Sequence, residues 1–456
     1  MSPQPPTLFY LLLGLLVIQI GLFSRFYRLR TLSPVFYTIA TFFVIGFVIS
    51  PLLAINVTHS PTLLLLADGL PEAYLYLNVV FFFWATGLFF ASRRDRFTWA
   101  SHPAPSPARV HYGLVLFMAG LVVYLVSWQY VGVSLGAAYA HPFEARLKII
   151  STPGGYYLKQ VALWSVWAGF FLVYASGFRL AWRPLGLLLA GMFVVIVGLS
   201  LPFGERSLII MPMMFVGLIA FYDRRLKVPH LVVLVPMAFV LIVGLGIYRE
   251  IGRGQPATTG AVVRAMSSLS VTDFVGLGLE RTSGLVHLLR FLERKDDLSM
   301  PLRQSVLSLV YRVFPASWQG GKPLDSSGYY TQAVLGIYSE GSYSPTPLAE
   351  WYMNLGLAGF IIMPLLSGFV YGKLIGLYSD ARRSVFTVVL FSQLFVLRFA
   401  ILNISSPDNV TTVFFFVFAL MVYLAYALLR PRRRAAPAGL ARAAPSPLAR
   451  PAAPTA

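Results

Sequence analysis

The feature that most limits the folds open to this chain is the recurrence of apolar runs long enough to cross a lipid bilayer. The hydrocarbon layer is about 30 Å thick and a helix rises about 1.5 Å per residue, so a crossing needs roughly 20 mostly apolar residues. Eleven segments qualify, at about 7–23, 34–55, 74–91, 110–131, 157–178, 184–201, 206–221, 228–247, 348–373, 386–404 and 409–429. Inside lipid every backbone N–H and C=O must be paired internally, which a helix achieves alone. The expected fold class is therefore an all-α polytopic membrane protein with about eleven transmembrane helices. Composition agrees, because 12% of the 456 residues are charged, about half the usual fraction for a soluble domain. No Lys or Arg precedes the first run, so it lacks the basic start of a secretory signal and reads as a retained span.

The formal net charge of +19 does not point to nucleic acid, because the cations lie in short clusters between apolar runs. Short loops rich in Lys and Arg stay in the cytoplasm. Six clusters fall on one side if eleven spans alternate: Arg25, Arg28 and Arg30; Arg93, Arg94 and Arg96; Arg179 and Arg183; Arg224, Arg225 and Lys227; Lys373, Arg382 and Arg383; and Arg430 with Arg432, Arg433 and Arg434. The alternate short connections at 55–73 and 405–408 carry none. This predicts an outside N-terminus and a cytoplasmic C-terminus, with most carboxylates facing outward.

Four units follow: spans 1–8 over residues 1–247, a large outer loop over 248–347, spans 9–11 over 348–429, and a tail over 430–456. A loop of that length is functional or disordered. Between 262 and 294 it places Val263, Met266, Leu269, Phe274, Leu277, Leu285, Leu288, Leu289 and Leu292 at near-helical spacing, which predicts helices lying on the membrane surface. The tail, rich in Arg, Ala and Pro, cannot build a core and is expected to be disordered.

Chemistry concentrates at the outer face. Arg206, in the segment LPFGERSL, sits where one span ends and another begins, and faces headgroups or a bound anion unless it merely snorkels. Arg249 and Arg253 in YREIGRG and Arg281 in LERTSG lie on the same side. Four converging guanidiniums would bind a diphosphate through bidentate hydrogen bonds; pairing with Glu250 and Glu280 is the alternative. Arg398 lies within the tenth span, where a charge costs at least about 2.5 kcal/mol and is kept for function unless it snorkels outward. Glu350 stands near the start of the ninth span, where the helix dipole favours a carboxylate, either as a cap or as a base. Glu340 and Asp325 are further outward carboxylates. The absence of cysteine excludes disulfides and thiolate chemistry, and no two of the six histidines have metal-ligand spacing. His287 reads as a packed histidine of an amphipathic helix. No glycine-rich loop is followed by Lys and Ser or Thr, so ATP hydrolysis is not indicated.

Two elements carry a resemblance to a known family: Gly204 to Arg206 at an outer mouth, and, after the large loop, Glu350, Trp351, Tyr352, Asn354, Gly356 and Gly359. Together with the span number and the single large loop they resemble the O-antigen and oligosaccharide repeat-unit polymerases of the Wzy type. The resemblance implies a GT-C-like, metal-independent glycosyltransferase of the bacterial inner membrane that needs no cofactor. Its partners would be undecaprenyl-diphosphate-linked oligosaccharides, membrane lipids, and a chain-length regulator and repeat-unit flippase, with no nucleic acid. It implies catalytic roles for Glu350, Arg206 and Arg398 and substrate binding by Arg249, Arg253, Arg281 and Tyr343. Trp318, Tyr329, Tyr330 and Tyr338 would stack on sugars with Tyr343, unless they form an ordinary interfacial belt. The related O-antigen ligases carry a His-Ser-His-Asn-like element where this chain has Tyr343, Ser344, Pro345 and Thr346. A ligase is one alternative. A transporter of lipid-linked sugar is another, disfavoured because polar residues gather at one face instead of the midplane.

Overall fold

The computed structural model describes residues 6–27, 36, 40, 43–56, 61–91, 106–177, 182–203, 240–241, 243–248, 251–252, 256, 258–270, 285–298, 326–334, 346–380, 385–386 and 407–429. Among them the chain is all-α, with no strand. The α-helices are α1 (Thr7–Tyr27), α2 (Ser50–Asn56), α3 (Pro61–Leu65), α4 (Leu70–Ala91), α5 (Pro107–Val131), α6 (Leu135–Ala140), α7 (Pro142–Ser151), α8 (Gly155–Gly177), α9 (Trp182–Ser200), α10 (Thr259–Ser267), α11 (Leu285–Leu292), α12 (Ser326–Ala333), α13 (Pro347–Leu355), α14 (Gly359–Asp380) and α15 (Pro407–Leu429). Five helical stretches are long and apolar enough to cross a membrane: Thr7–Tyr27, Ala67–Ala91, Pro107–Val131, Pro184–Phe203 and Pro347–Val370. Much of the apolar surface of α1, α5 and α9 faces outward, including Leu11, Val115 and Leu187, as lipid requires and water forbids.

Lipid tails are as apolar as leucine, so helices in a bilayer are held by close backbone packing and interhelical hydrogen bonds. Both devices occur here. A Cβ on Gly87 of α4 would lie 2.1 Å from the carbonyl oxygen of Leu365, and one on Gly368 of α14 would lie 2.2 Å from that of Trp84. α5 and α8 meet in the same way, a Cβ on Gly169 falling 2.5 Å from the Gly113 carbonyl oxygen. Between α1 and α4, the Tyr27 hydroxyl donates to the Ala85 carbonyl at 2.7 Å, and Asn78 Nδ2 donates to the Leu12 carbonyl at 2.9 Å.

These contacts set relative directions. α1, α4 and α14 are parallel: Phe9 meets Tyr74, Phe23 meets Phe82, and Tyr76 stacks on Phe360 while Trp84 meets Gly368. α5 and α8 are antiparallel, Gly113 facing Gly169 and Gly120 facing Ala162 and Val166. The ends of α5 and α9 lie together, since the Tyr124 hydroxyl donates to the Leu199 carbonyl at 3.1 Å. The start of α5 lies beside the end of α15, with Tyr112 donating to the Val422 carbonyl at 2.7 Å. α8 sits in the middle: every residue from Ala162 to Tyr174 is buried, as expected of a helix apolar on all sides.

One apolar run is divided. The segment expected to cross from 348 is two helices, α13 and α14, joined by a 3-10 turn at Gly356–Ala358. Gly356 takes φ 60° and ψ −148°, a conformation essentially restricted to glycine. A Cβ on Gly359 would stand 2.3 Å from the carbonyl oxygen of Trp351. The Gly-x-x-Gly spacing is thus the hinge that lets α13 fold closely against the head of α14.

Candidate functional site

The candidate arginines Arg206, Arg249, Arg253, Arg281 and Arg398 lie outside the described residues, as do Tyr343, Trp318, Tyr338, Glu340 and Asp325. Glu350 is described, and so are residues flanking three of the arginines. Two neighbourhoods result.

The first is built on α13. Thr346 caps the helix, its Oγ1 accepting from the Ala349 N–H at 3.3 Å, and Pro347 fills the first helical position, where a missing N–H costs nothing. Glu350 falls in the first turn, at the positive end of the helix dipole. It is 0% exposed, and a carboxylate so deep is held for a reason beyond surface charge. Asn354, one turn on, donates from Nδ2 to the Glu350 carbonyl at 2.7 Å. Tyr352 carries the helix into an aromatic chain: its ring lies 5.5 Å from Phe291 of α11 and 5.6 Å from Phe360, which stacks at 4.5 Å on Tyr76 of α4.

A cover of loop helices sits on this end of α4. α11 buries Leu285, Leu288, Leu289, Phe291 and Leu292, the apolar stripe expected from the spacing, and Leu289 reaches the backbone at Gly69. Lys295 pairs with Glu72 at the start of α4, and the Tyr76 hydroxyl donates to the same carboxylate at 2.8 Å. Partial burial pulls the Lys295 ammonium down, but the hydrogen bond and charge of Glu72 outweigh it and leave the group raised. Arg294 Nη1 donates to the Ala333 carbonyl of α12 at 3.0 Å.

His287 packs as the sequence implied. Its Nδ1 lies 3.3 Å from the Tyr330 hydroxyl, which itself donates to the His287 carbonyl at 3.1 Å. Tyr330 is fully buried, so the expectation that it stacks on sugar is not met: its ring belongs to the α11–α12 contact. Burial, aided by the nearby Arg290 charge, lowers the His287 pKa below its usual 6.5, and burial pushes the Tyr330 hydroxyl up to about 12. Below pH 6.5 the unfolded imidazole takes a proton that the docked one resists, so docking is fully favoured above that pH and weakens as pH falls toward the lowered value. Protection of the amides of residues 285–292, corrected for the intrinsic pH dependence of exchange, should therefore fall between pH 7 and pH 5.5, and His287→Gln should abolish that dependence.

The second neighbourhood surrounds the ends of α5 and α9. The 3-10 turn Leu201–Phe203 ends α9, and the Phe203 ring stacks on Trp128 at 5.3 Å and meets Tyr124 edge-on at 6.0 Å. The Tyr139 hydroxyl of α6 donates to the Gly198 carbonyl at 3.0 Å, and the Tyr248 hydroxyl donates to the Tyr139 carbonyl. Gly252 stands against Pro142 of α7. Phe203 precedes Arg206 by three residues, Tyr248 precedes Arg249 and Gly252 precedes Arg253. The points from which these three arginines depart are therefore gathered on α5, α6 and α7.

Sequence reasoning missed Lys159. It lies one turn into α8, is 0% exposed, and holds its ammonium 4.5 Å from the centre of the Phe203 ring. The signal was available: a lysine at the edge of an apolar run deserves the argument applied to Arg398.

Helix directions and charge relate the two neighbourhoods. Basic clusters stand at the C-terminal ends of α1, α4, α8, α14 and α15 and the N-terminal ends of α5 and α9. Glu350, Glu72, Lys159 and Phe203 all sit at the opposite ends of their helices. No protein-family model matches the chain, and no curated protein or solved structure matches it.

Proposed function

We propose that the protein is a polymerase that joins undecaprenyl-diphosphate-linked oligosaccharide repeat units, of an O-antigen, capsule or exopolysaccharide, at the periplasmic face of a bacterial inner membrane. The observation that carries this reading is the gathering of Phe203, Tyr248 and Gly252 on α5–α7, from which Arg206, Arg249 and Arg253 extend. The basic clusters at the other end keep that end in the cytoplasm, so the gathered end faces the compartment where lipid-linked repeat units are presented.

In this reaction the acceptor hydroxyl attacks the anomeric carbon of the donor glycan. The bond from that carbon to the diphosphate oxygen breaks, and the polyprenyl diphosphate leaves with the electron pair. In this reading the arginines stabilise the charge that develops on the leaving group. Glu350 accepts the acceptor's proton. It is buried at rest, so acceptor entry must expose its carboxyl group. Among the described residues, Glu72, Lys159 and Glu350 lie at one end of the bundle, which favours bond formation at a surface over passage through the midplane.

Removing the cations tests the reading. In cells dependent on this chain for surface glycan, Arg206→Ala and Arg398→Ala should each leave single repeat units and normal protein levels while long glycan falls at least about 100-fold. Wild-type glycan length in both variants overturns it. Polymer accumulating on undecaprenyl diphosphate after deletion would instead mark a ligase.

A further inference from the structure

We propose that Lys159 is a positioning residue for the outer mouth: its buried ammonium, seated on the Phe203 ring, holds the Leu201–Phe203 turn from which the chain runs on to Arg206. This rests on reading the outer mouth as the diphosphate site. Lysine is almost never fully buried, and this one is 0% exposed, one turn into α8. So deep a cation must be offset by specific contacts. The Phe203 ring supplies one, with Nζ 4.5 Å from its centroid; the Tyr156 ring, at 5.8 Å, supplies a weaker second. A desolvated ammonium over a ring face is the strong form of the cation–π contact.

Phe203 is gripped on its other sides. Trp128 stacks on it with planes 16° apart, and Tyr124 meets it at 88°. The backbone just before it is held by the Tyr139 and Tyr124 hydroxyls at Gly198 and Leu199. The turn is therefore clamped by α5, α6 and α8, and the clamp from α8 is a cation. A leaving-group arginine must be held to within about 0.5 Å of its working geometry by supports of this kind. The ammonium reaches the Phe203 ring, so it acts through Phe203.

Full-length protein in lipid nanodiscs, as wild type, Lys159→Met, Lys159→Arg and Phe203→Leu, tests this. Methionine fills the same volume without charge, and such exchanges are tolerated where packing is kept. Lys159→Met and Phe203→Leu should speed amide exchange across residues 198–203 at least about tenfold while leaving α5 and α8 at wild-type protection. With purified lipid-linked repeat unit, both should lower kcat about tenfold with KM changed less than about threefold, and Lys159→Arg should restore both readouts. Unchanged exchange at 198–203 in Lys159→Met overturns the proposal. Uniform acceleration through α5 and α8 also overturns it, because the lysine is then a packing residue only. If wild-type protein forms no polymer, the polymerase reading fails, and the exchange pattern alone decides whether Lys159 holds the turn.

Discussion

Gly87→Leu is expected to prevent the folded protein from being recovered. The Gly87 position has no room for even a Cβ, which would fall 2.1 Å from the Leu365 carbonyl oxygen and 3.0 Å from the Phe369 amide nitrogen. These are backbone atoms of a facing helix, so no side chain can swing aside. Overpacking against movable side chains costs about 1–3 kcal/mol; here α4 and α14 must separate along the stretch that also places Tyr76 beneath Phe360. The cost should exceed that range and be matched by Gly368→Leu, whose Cβ would fall 2.2 Å from the Trp84 carbonyl oxygen. Gly14→Leu is the control, since nothing lies within 4 Å of its Cβ position. Detergent-solubilised Gly87→Leu should lose its monodisperse peak in size-exclusion chromatography, while Gly14→Leu keeps it with a melting temperature within a few degrees of wild type. A monodisperse Gly87→Leu protein would mean that α4 and α14 do not meet as described.

Glu350→Gln separates two roles for the buried carboxylate. As a first-turn acid it interacts with the α13 dipole for about 0.3–1 kcal/mol, which glutamine would forfeit. As the proton acceptor it is needed in the transition state, where general-base catalysis contributes about 10²–10⁴-fold. The substitution keeps shape and helix cap, because Thr346 and Pro347 are untouched. We expect kcat to fall at least about 100-fold in protein that still folds and elutes as the wild type does. Full polymerisation by the glutamine variant would reduce Glu350 to a capping residue.

How much of this was visible before the structure depends on what each feature needs. Span-length helices were legible because burial in lipid demands length and apolarity, and the bounds of α4, α5, α8, α9 and α15 fall close to the apolar runs. The amphipathic face of α11 was legible from spacing alone. The break at Gly356 was not, because Leu355 to Met363 stays apolar through the turn and hydropathy carries no information on φ. Pairing was equally hidden. Gly87 and Gly368 are 281 residues apart and look like ordinary membrane glycines, yet they decide which helices touch. Tyr330 shows the opposite error: an outer-loop tyrosine was read as a sugar platform, whereas it is consumed by contact with His287. Lys159 was passed over because it stands at the edge of a run, where a snorkelling lysine is the common case.

The central claim, that this membrane protein forms glycosidic bonds at its arginine-bearing end, is tested most directly in proteoliposomes. Purified protein, radiolabelled undecaprenyl-diphosphate-linked repeat units and chelator are combined, and the lipid-linked products are sized. Glycans of two or more repeat units should appear with wild-type protein in the presence of chelator and should vanish with Arg206→Ala. Repeat units that remain single while becoming protected inside the vesicles would contradict the claim and identify a transporter.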